Sequence, residues 1–408
     1  VSTGEGLNPA RVLSAHMTGT DAAESAGSSA AELRRRLAAD ESLRVLDVRN
    51  RDEVEAWSIP ADDLVTVPYM KFVAANATGD VASLAADNDL DDGTELVVVC
   101  AEGRASAEVA DSLREAGVDA VNLDDGMEGW ARIYESTVVS ERPRIVQYER
   151  PSSGCLAYLV VAGEEAAVVD PLRAFADRYV ADAEAAGATL RYALDTHVHA
   201  DHVSGVRALA NQGVEPVLPA GARDRGLADP ERFTLLDSGE SVTLDGVDVE
   251  AVGTPGHTSE MTTYRVGGTF LTGDGVFAER VPRPDLEAGD AGVDEYARDL
   301  HRTLTGRLGT LPDIVRVAPG HYDPTAVSDR TGDADDETPR GRVTTLGAVR
   351  TLPVFDMDAD AFVEYVTERM GPRPANYERI IAINLGRESV DDETAFELEL
   401  GPNNCAAG

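Results

Sequence analysis

Four potential metal ligands fall within six positions of this chain: His197, His199, Asp201 and His202, in the run Thr196-His197-Val198-His199-Ala200-Asp201-His202-Val203. Neutral imidazoles and a carboxylate suit zinc, iron or manganese, and groups this closely spaced cannot all point away from one another. A solvated polar loop has no reason to gather three of the chain's seven histidines. Three further groups follow: His257 in Thr254-Pro255-Gly256-His257, Asp274 closing Leu271-Thr272-Gly273-Asp274, and His321 closing Ala318-Pro319-Gly320-His321. A reactive group of another kind is Cys100, which heads Cys100-Ala101-Glu102-Gly103-Arg104-Ala105-Ser106. Loop N–H groups running into a helix N-terminus would stabilise a thiolate or persulfide anion there. A small core cysteine at a strand end is the alternative.

Each group needs an element to position it. Residues 190–194 read as a short strand and a helical pattern begins near Val203, so the four ligands crowd one strand-to-helix loop. His257, Asp274 and His321 each sit where a β-strand would deliver them to a common rim. Strands are expected near Val217 and at 144–147, 155–161, 241–244, 247–252, 262–266, 269–272 and 314–318, with helices at 174–186, 293–308 and 359–370. Cys155, at a strand start, reads as a packed structural residue. Val168-Val169-Asp170-Pro171 adds a short acidic motif after an early strand. In this order the five motifs resemble the metallo-β-lactamase superfamily, over about residues 142 to 345. The resemblance implies an αββα sandwich with its ligands on loops at one edge of two packed sheets.

Upstream, a helical pattern over 30–37 leads to a strand at 44–49, and a second buried strand, 95–99, ends at Cys100. Asp47-Val48-Arg49, then Ile59-Pro60, the cysteine loop and Gly126-Met127-Glu128-Gly129-Trp130 resemble, in order, a single rhodanese domain, an α/β sulfurtransferase fold, over about residues 29 to 137. That resemblance implies that Cys100 is the sulfur-accepting nucleophile, with Gly103, Arg104 and Ser106 shaping the loop and Asp47 and Arg49 holding its base. Ser58 stands where the family commonly has histidine, and Ala105 where a polar or arginine side chain is frequent; both departures bear on the sulfur donor. The expected organisation is therefore α/β throughout: a disordered leader (1–28), a rhodanese-like α/β domain (29–137), a linker (136–143), and a metallo-β-lactamase αββα sandwich with a C-terminal extension (142–408). The acidic tract 323–342 is expected as a surface loop. Cys405 reads as a surface or tail thiol, the last twenty residues as free of chemistry, and His16 and His301 as ordinary polar residues.

Asp and Glu outnumber Lys and Arg by 74 to 36, a net charge of −38, which excludes a general nucleic-acid binder. Lys71 is the only lysine. Acidic residues spread through both halves suggest a salt-adapted, halophilic surface. Cys100, Cys155 and Cys405 match neither a disulfide framework nor a zinc knuckle, which fits a reducing cytoplasm. No apolar run is long enough to span a membrane.

Two mechanisms remain open from the ligands alone. A dinuclear hydrolase of the glyoxalase II type would use all seven groups around two zinc ions to activate water against a thioester. The persulfide dioxygenase branch resembles the chain most closely, and implies one Fe(II) held by His197, His257 and Asp274, a 2-His-1-carboxylate face with open positions. His199, Asp201, His202 and His321 would then orient those ligands, or hold a second metal. Arg283 and Asp285 fall on positions where that branch has an arginine and an aspartate, either acting at the site or forming a salt bridge that ties the loop. A rhodanese domain handles persulfide sulfur, and a persulfide dioxygenase oxidises it. The expected partners are thus a low-molecular-weight thiol persulfide, O₂, and thiosulfate or sulfite, with a homo-oligomer left open.

Overall fold

The computed structural model describes residues 27–324 and 341–407. His16, the expected leader as far as residue 26, and all but the ends of the tract 323–342 lie outside the described residues. Residues 27 and 28, assigned to that leader from sequence, instead pair with Asn122 and Leu123 at the edge of a five-stranded parallel sheet. Leu96–Val99 occupies the centre of this sheet, and all four residues are buried, as a strand covered on both faces requires. Val98 packs with Phe72, Val109 and Leu113 on one face, Val97 and Val99 with Leu33 and Trp130 on the other. Cys100 leaves the end of this central strand, where both helical layers meet.

Residues 136–143 are not a linker. They fall in an antiparallel hairpin, Glu135–Glu141 with Arg144–Arg150. Glu135–Glu141 is an edge strand with only Val139 buried, so its sequence lacks the apolar alternation that marks a strand. The hairpin opens a seven-stranded sheet that continues antiparallel through Cys155–Ala162 and Glu165–Val169, then parallel through Thr189–Leu194, Glu215–Pro219 and Thr234–Leu236. A six-stranded sheet faces it, built on Ser241–Leu244, Val247–Gly253, Thr262–Val266, Thr269–Gly273, Arg316–Pro319 and Thr344–Thr345.

Tyr158, Val160 and Leu194 from the first sheet interleave with Val249, Tyr264, Leu271 and Ala318 from the second. Helices Ala176–Ala185 and Val206–Asn211 cover the outer face of the first sheet. Asp285–Arg302 and Ala359–Thr367 cover that of the second, completing the expected αββα sandwich. Two pairs of parallel strands end level, Val169 beside Leu194 and Gly273 beside Pro319, so the residues that follow them emerge at one rim. Among the described residues no helix is long and apolar enough to cross a membrane.

The C-terminal segment folds back over this rim. Ala406–Ala407 pairs with Val281–Pro282, and Glu399 Oε1 lies 3.0 Å from Arg150 Nη1 in a buried ion pair. Arg150 Nε also donates to the Ala131 carbonyl at 2.8 Å, so one guanidinium joins the C-terminus, the sandwich and the first domain. Glu399→Ala would strand that guanidinium in the interior, and is expected to lower stability by about 3–5 kcal/mol. A urea-unfolding midpoint equal to that of the parent chain would refute this.

Candidate metal and sulfur sites

The loop 195–205 has no helix or strand of its own, yet it is buried. Its polar groups are satisfied from outside. Asp170, in the left-handed region at φ 54°, accepts from Thr196 N at 2.7 Å and Thr196 Oγ1 at 3.0 Å and lies 3.1 Å from His199 Nε2. Glu260 Oε1 accepts from Val198 N at 2.8 Å, and Glu399 Oε2 from Val203 N at 3.1 Å. Asn384 donates to the carbonyls of His199 and His202, at 3.0 and 2.9 Å, and accepts from Ser204 N at 2.9 Å.

The rim brings all seven expected ligands together in neighbouring clusters. In one, His197, His257 and Asp274 each offer an atom within 4.8 Å of the others. Asp274 Oδ2 lies 3.9 Å from His197 Nε2 and 3.5 Å from His257 Nε2. Burial pushes the pKa of both imidazoles down, which favours the neutral, ligand-competent form. His257 Nδ1 is held by the Arg283 carbonyl at 2.7 Å, which aims Nε2 at the cluster. His197 Nε2, His199 Nδ1, Asp201 Oδ1, His202 Nε2 and Asp274 Oδ2 are buried without a hydrogen-bond partner among the described residues. Each such atom costs about 1–3 kcal/mol, and a bound cation would satisfy them, so the residues present fit a metal ion.

Of the other ligands, His199 groups with Asp170 and Asp195, while Asp201, His202 and His321 bond to one another. Asp201 Oδ2 accepts from Cys155 Sγ at 3.2 Å and lies 3.1 Å from His202 Nδ1 and 2.9 Å from His321 Nε2. His321 Nδ1 in turn sits 2.7 Å from Asp274 Oδ1. Burial opposes charge on His202, but the Asp201 carboxylate outweighs it and its pKa rises to about 9. Gly320 makes the approach possible, since a Cβ there would come within 2.7 Å of Asp274 Oδ1.

Cys155 is packed in the core as expected, and it also joins Asp201, His202 and His321 in one cluster, because its strand start bridges to His321 across the two sheets. Cys405 is fully buried within reach of Asp274 and His321, not a surface thiol, because the Ala406–Ala407 pairing draws the C-terminus over the rim. With Glu399 it shows that the last twenty residues do contribute to the site. Arg283 spends all five guanidinium N–H groups on Asp285 and on the carbonyls of Gly371, Pro372 and Asn404. Of its two proposed roles, the geometry supports the tie, and Arg283 reaches the site only through its carbonyl on His257. His301 is an ordinary polar residue, bonded to the Met357 carbonyl at 2.9 Å.

In the first domain Cys100 Sγ accepts from Gly103 N and Ser106 Oγ, both at 3.1 Å. Gly103 is left-handed, φ 82°, and a Cβ there would meet Asp125 N at 2.7 Å. The helix Gly126–Ala131 holds the loop from below, Met127 N donating to the Cys100 carbonyl at 2.9 Å. Asp47 and Arg49 pair at 2.7 Å beneath it, as expected. Arg104 does not shape the sulfur's surroundings. It is 83% exposed and paired with Glu102, because the first turn of its helix turns that side chain to solvent.

Residues 29–133 match the family model of the rhodanese-like domain, and residues 151–321 that of the metallo-beta-lactamase superfamily. A hydroxyacylglutathione hydrolase from Synechococcus is 36% identical over 126 residues, 29% of this chain and 48% of that relative, so the match spans about half its length. The mitochondrial persulfide dioxygenase ETHE1 of Homo sapiens is 25% identical over 246 residues, 59% of this chain and 86% of that protein. The crystal structure of a metallo-beta-lactamase from Staphylococcus aureus superposes with a TM-score of 0.51 at 20% identity, covering 61% of this chain and 74% of the other, a likeness of fold.

Alanine at His197, His257 or Asp274 is expected to cut bound metal after dialysis to roughly a tenth or less of the parent's, whereas Arg104→Ala leaves it unchanged. Elemental analysis of each purified variant decides, and a variant at Asp274 with a full metal complement would remove this cluster from consideration.

Proposed function

We propose that this chain, which joins a rhodanese-like domain to a metallo-beta-lactamase superfamily domain, oxidises a low-molecular-weight thiol persulfide to sulfite and exchanges sulfane sulfur through Cys100. The observation that carries the proposal is the donor set of the first ligand cluster. His197, His257 and Asp274 converge as a 2-His-1-carboxylate set, with His197 Nε2 and Asp274 Oδ2 unpaired, while Asp201 Oδ2 in the neighbouring cluster is taken up by Cys155, His202 and His321. Such a donor set with open positions favours iron. Iron held there would supply O₂ activation and a coordination position for sulfur.

The overall change is R–S–SH + O₂ + H₂O → R–SH + H₂SO₃. The sulfane sulfur gives up four electrons to O₂, the S–S bond breaks, and the proton on R–SH comes from water. The chain's own residues orient and enclose. Asp170 fixes His199, the Arg283 carbonyl fixes His257, and His321 links Asp274 to Asp201. Burial of the whole rim keeps bulk water from the reacting sulfur.

In the first domain the chemistry is exchange without net redox change. Cys100 thiolate takes a sulfane sulfur to form Cys100–S–S⁻, one S–S bond forming as another breaks, and returns it to a thiol or to sulfite. Gly103 N and Ser106 Oγ lie where they would stabilise either anion. Three cysteines free of disulfides support a reducing cytoplasm as the setting, and the acidic composition supports a salt-adapted one.

A thioesterase of the glyoxalase II type is the second reading, favoured by the 36% identity to a hydroxyacylglutathione hydrolase and by the presence of all seven ligands. Protein purified without oxygen and given a thiol persulfide separates the two. The proposal expects about one iron per chain, and sulfite released mole for mole with O₂ consumed. Two zinc ions with thioester hydrolysis and no O₂ uptake would overturn it. Cys100→Ser is expected to lower thiosulfate:thiol sulfurtransfer by at least ~10³-fold, with O₂ uptake retained; a variant that still transferred sulfur would exclude Cys100 as the nucleophile.

A further inference from the structure

The helix Tyr69–Thr78 of the rhodanese-like domain buries Phe72 and Ala75 and leaves its opposite side uncovered. Met70, Val73, Ala74 and Ala77 are all exposed there, at the i, i+3, i+4, i+7 spacing that puts four apolar side chains on one stripe. Met70 is 68% and Val73 37% exposed, two of the three large apolar side chains so exposed among the described residues. The next helix, Val81–Ala86, packs beside it and exposes Ala82, Ser83 and Ala86. Charge sets this face apart. In a chain with 74 acidic residues, residues 64–86 contain one, Asp80, together with the only lysine, Lys71. On a protein of net charge −38, such a face is where a second acidic molecule can approach without meeting a field of its own sign.

We infer that this face is the contact between two copies of the chain, paired about a twofold axis that passes between Val73 and Ala74. The residues fit a second copy for two reasons. With the two helices antiparallel the stripe is complementary to itself: Met70 stands over Ala77 of the second copy and Val73 over its Ala74, large against small at each step. The same register brings Lys71 toward the C-terminal turn of the second helix, where free carbonyls and Asp80 carry negative charge. Symmetry makes each contact occur twice. A basic partner would instead be drawn to the acidic surface elsewhere, and gains nothing from an uncharged face bearing a lysine. A helix of ten residues is about 15 Å long, so the two helices offer roughly 400 Å² per copy, against about 800 Å² in a standard stable interface. The pairing is therefore concentration-dependent, and salt strengthens it by screening the repulsion between two acidic chains. Each helix starts at the rim where Cys100 leaves the sheet, because Leu64–Thr66 and Leu96–Val99 both run parallel to Arg44–Asp47. An antiparallel pair thus directs the two Cys100 rims to opposite ends and leaves both open.

Sedimentation velocity on the full-length protein over about 1–500 µM, in roughly 0.2 and 2 M KCl, reads the association and its salt response. The expected result is a shift from the monomer's mass toward twice that mass as concentration rises, reached at lower concentration in the higher salt. Met70→Glu is expected to weaken self-association at least about tenfold, with bound metal and sulfurtransfer unchanged because Met70 lies outside both sites. Ala74→Cys supplies a positive test beside the axis. The three native cysteines are buried, so oxidised glutathione, which takes up the two electrons and two protons, is expected to join Ala74→Cys chains into a covalent dimer. Ala39→Cys, exposed at the end of the helix on the sheet's other face, is expected to stay a single chain under the same treatment. A monomer at every concentration and salt overturns the inference, and so does a dimer that Met70→Glu leaves intact. Association that falls as KCl rises would rest on ion pairs at another surface, and overturns it as well.

Discussion

The loop 195–205 must keep a run of backbone polar groups out of water without any ladder or helix of its own. An unpaired buried N–H or C=O costs about 1–3 kcal/mol, so a loop of this length survives only if other segments supply partners. Side chains supply them from Asp170 after the strand Glu165–Val169, Glu260 in the facing sheet's connection, Tyr264 in that sheet, Asn384 in a C-terminal helix and Glu399 near the chain's end, and backbone groups from Pro171, Arg173, Val217 and Thr262. That requirement explains why the chain past residue 345 folds back over the rim. Asn384 alone closes three of the loop's backbone groups, and Glu399 brings Arg150 with it.

The same requirement ties the domains together. Arg150 bonds the Ala131 carbonyl of the first domain while it pairs with Glu399, and Arg132 from that domain lies over the Phe396 ring beside it, 4.0 Å from the centroid. Trp57 reaches across to Ser152, and Arg34 to Glu135 at 3.1 Å. These contacts converge on the start of the strand Cys155–Ala162, the strand that carries Cys155 into the site. The interface therefore forms part of the metal rim's support, more than a seam between two units that happen to share a chain.

What the sequence made legible follows from how local each signal is. His197, His199, Asp201 and His202 declare themselves because their spacing is within one loop, and Cys100 because strand, loop and helix are consecutive. His257, Asp274 and His321 are visible as residues that end strands, since strand ends at one rim are a property of the sandwich. The links of Cys155 and Cys405 to the site are not legible, because their proximity to His321 depends on a cross-sheet bridge and on an antiparallel pair closed over more than a hundred residues. Nothing in the neighbourhood of either cysteine encodes that. The hairpin strand Glu135–Glu141 reads as a linker in sequence for a related reason: an edge strand with one buried residue is held by its neighbour's backbone, which leaves no pattern in its own side chains. Arg104 shows the converse, a motif position whose side chain the helix's first turn sends into solvent.

Asp274 shows how closely the two ligand clusters are coupled. Its Oδ2 faces His197 and His257, and its Oδ1 bonds His321, which bonds Asp201, which bonds Cys155. One carboxylate therefore belongs to both sets. A cation drawn to the first cluster leaves the second network intact, because it engages the oxygen that network does not use. A cation in the second cluster would not have to break that network either, because Asp201 Oδ1 and His202 Nε2 are buried without a hydrogen-bond partner among the described residues. Both clusters thus hold atoms whose burial already costs free energy, and they differ in their donors: the first is two imidazoles and a carboxylate, whereas Asp201 Oδ2 in the second is already taken by Cys155, His202 and His321. His321 also lines a cavity beside Trp57, so the chain of bonds that ends on Asp274 starts at that cavity's wall.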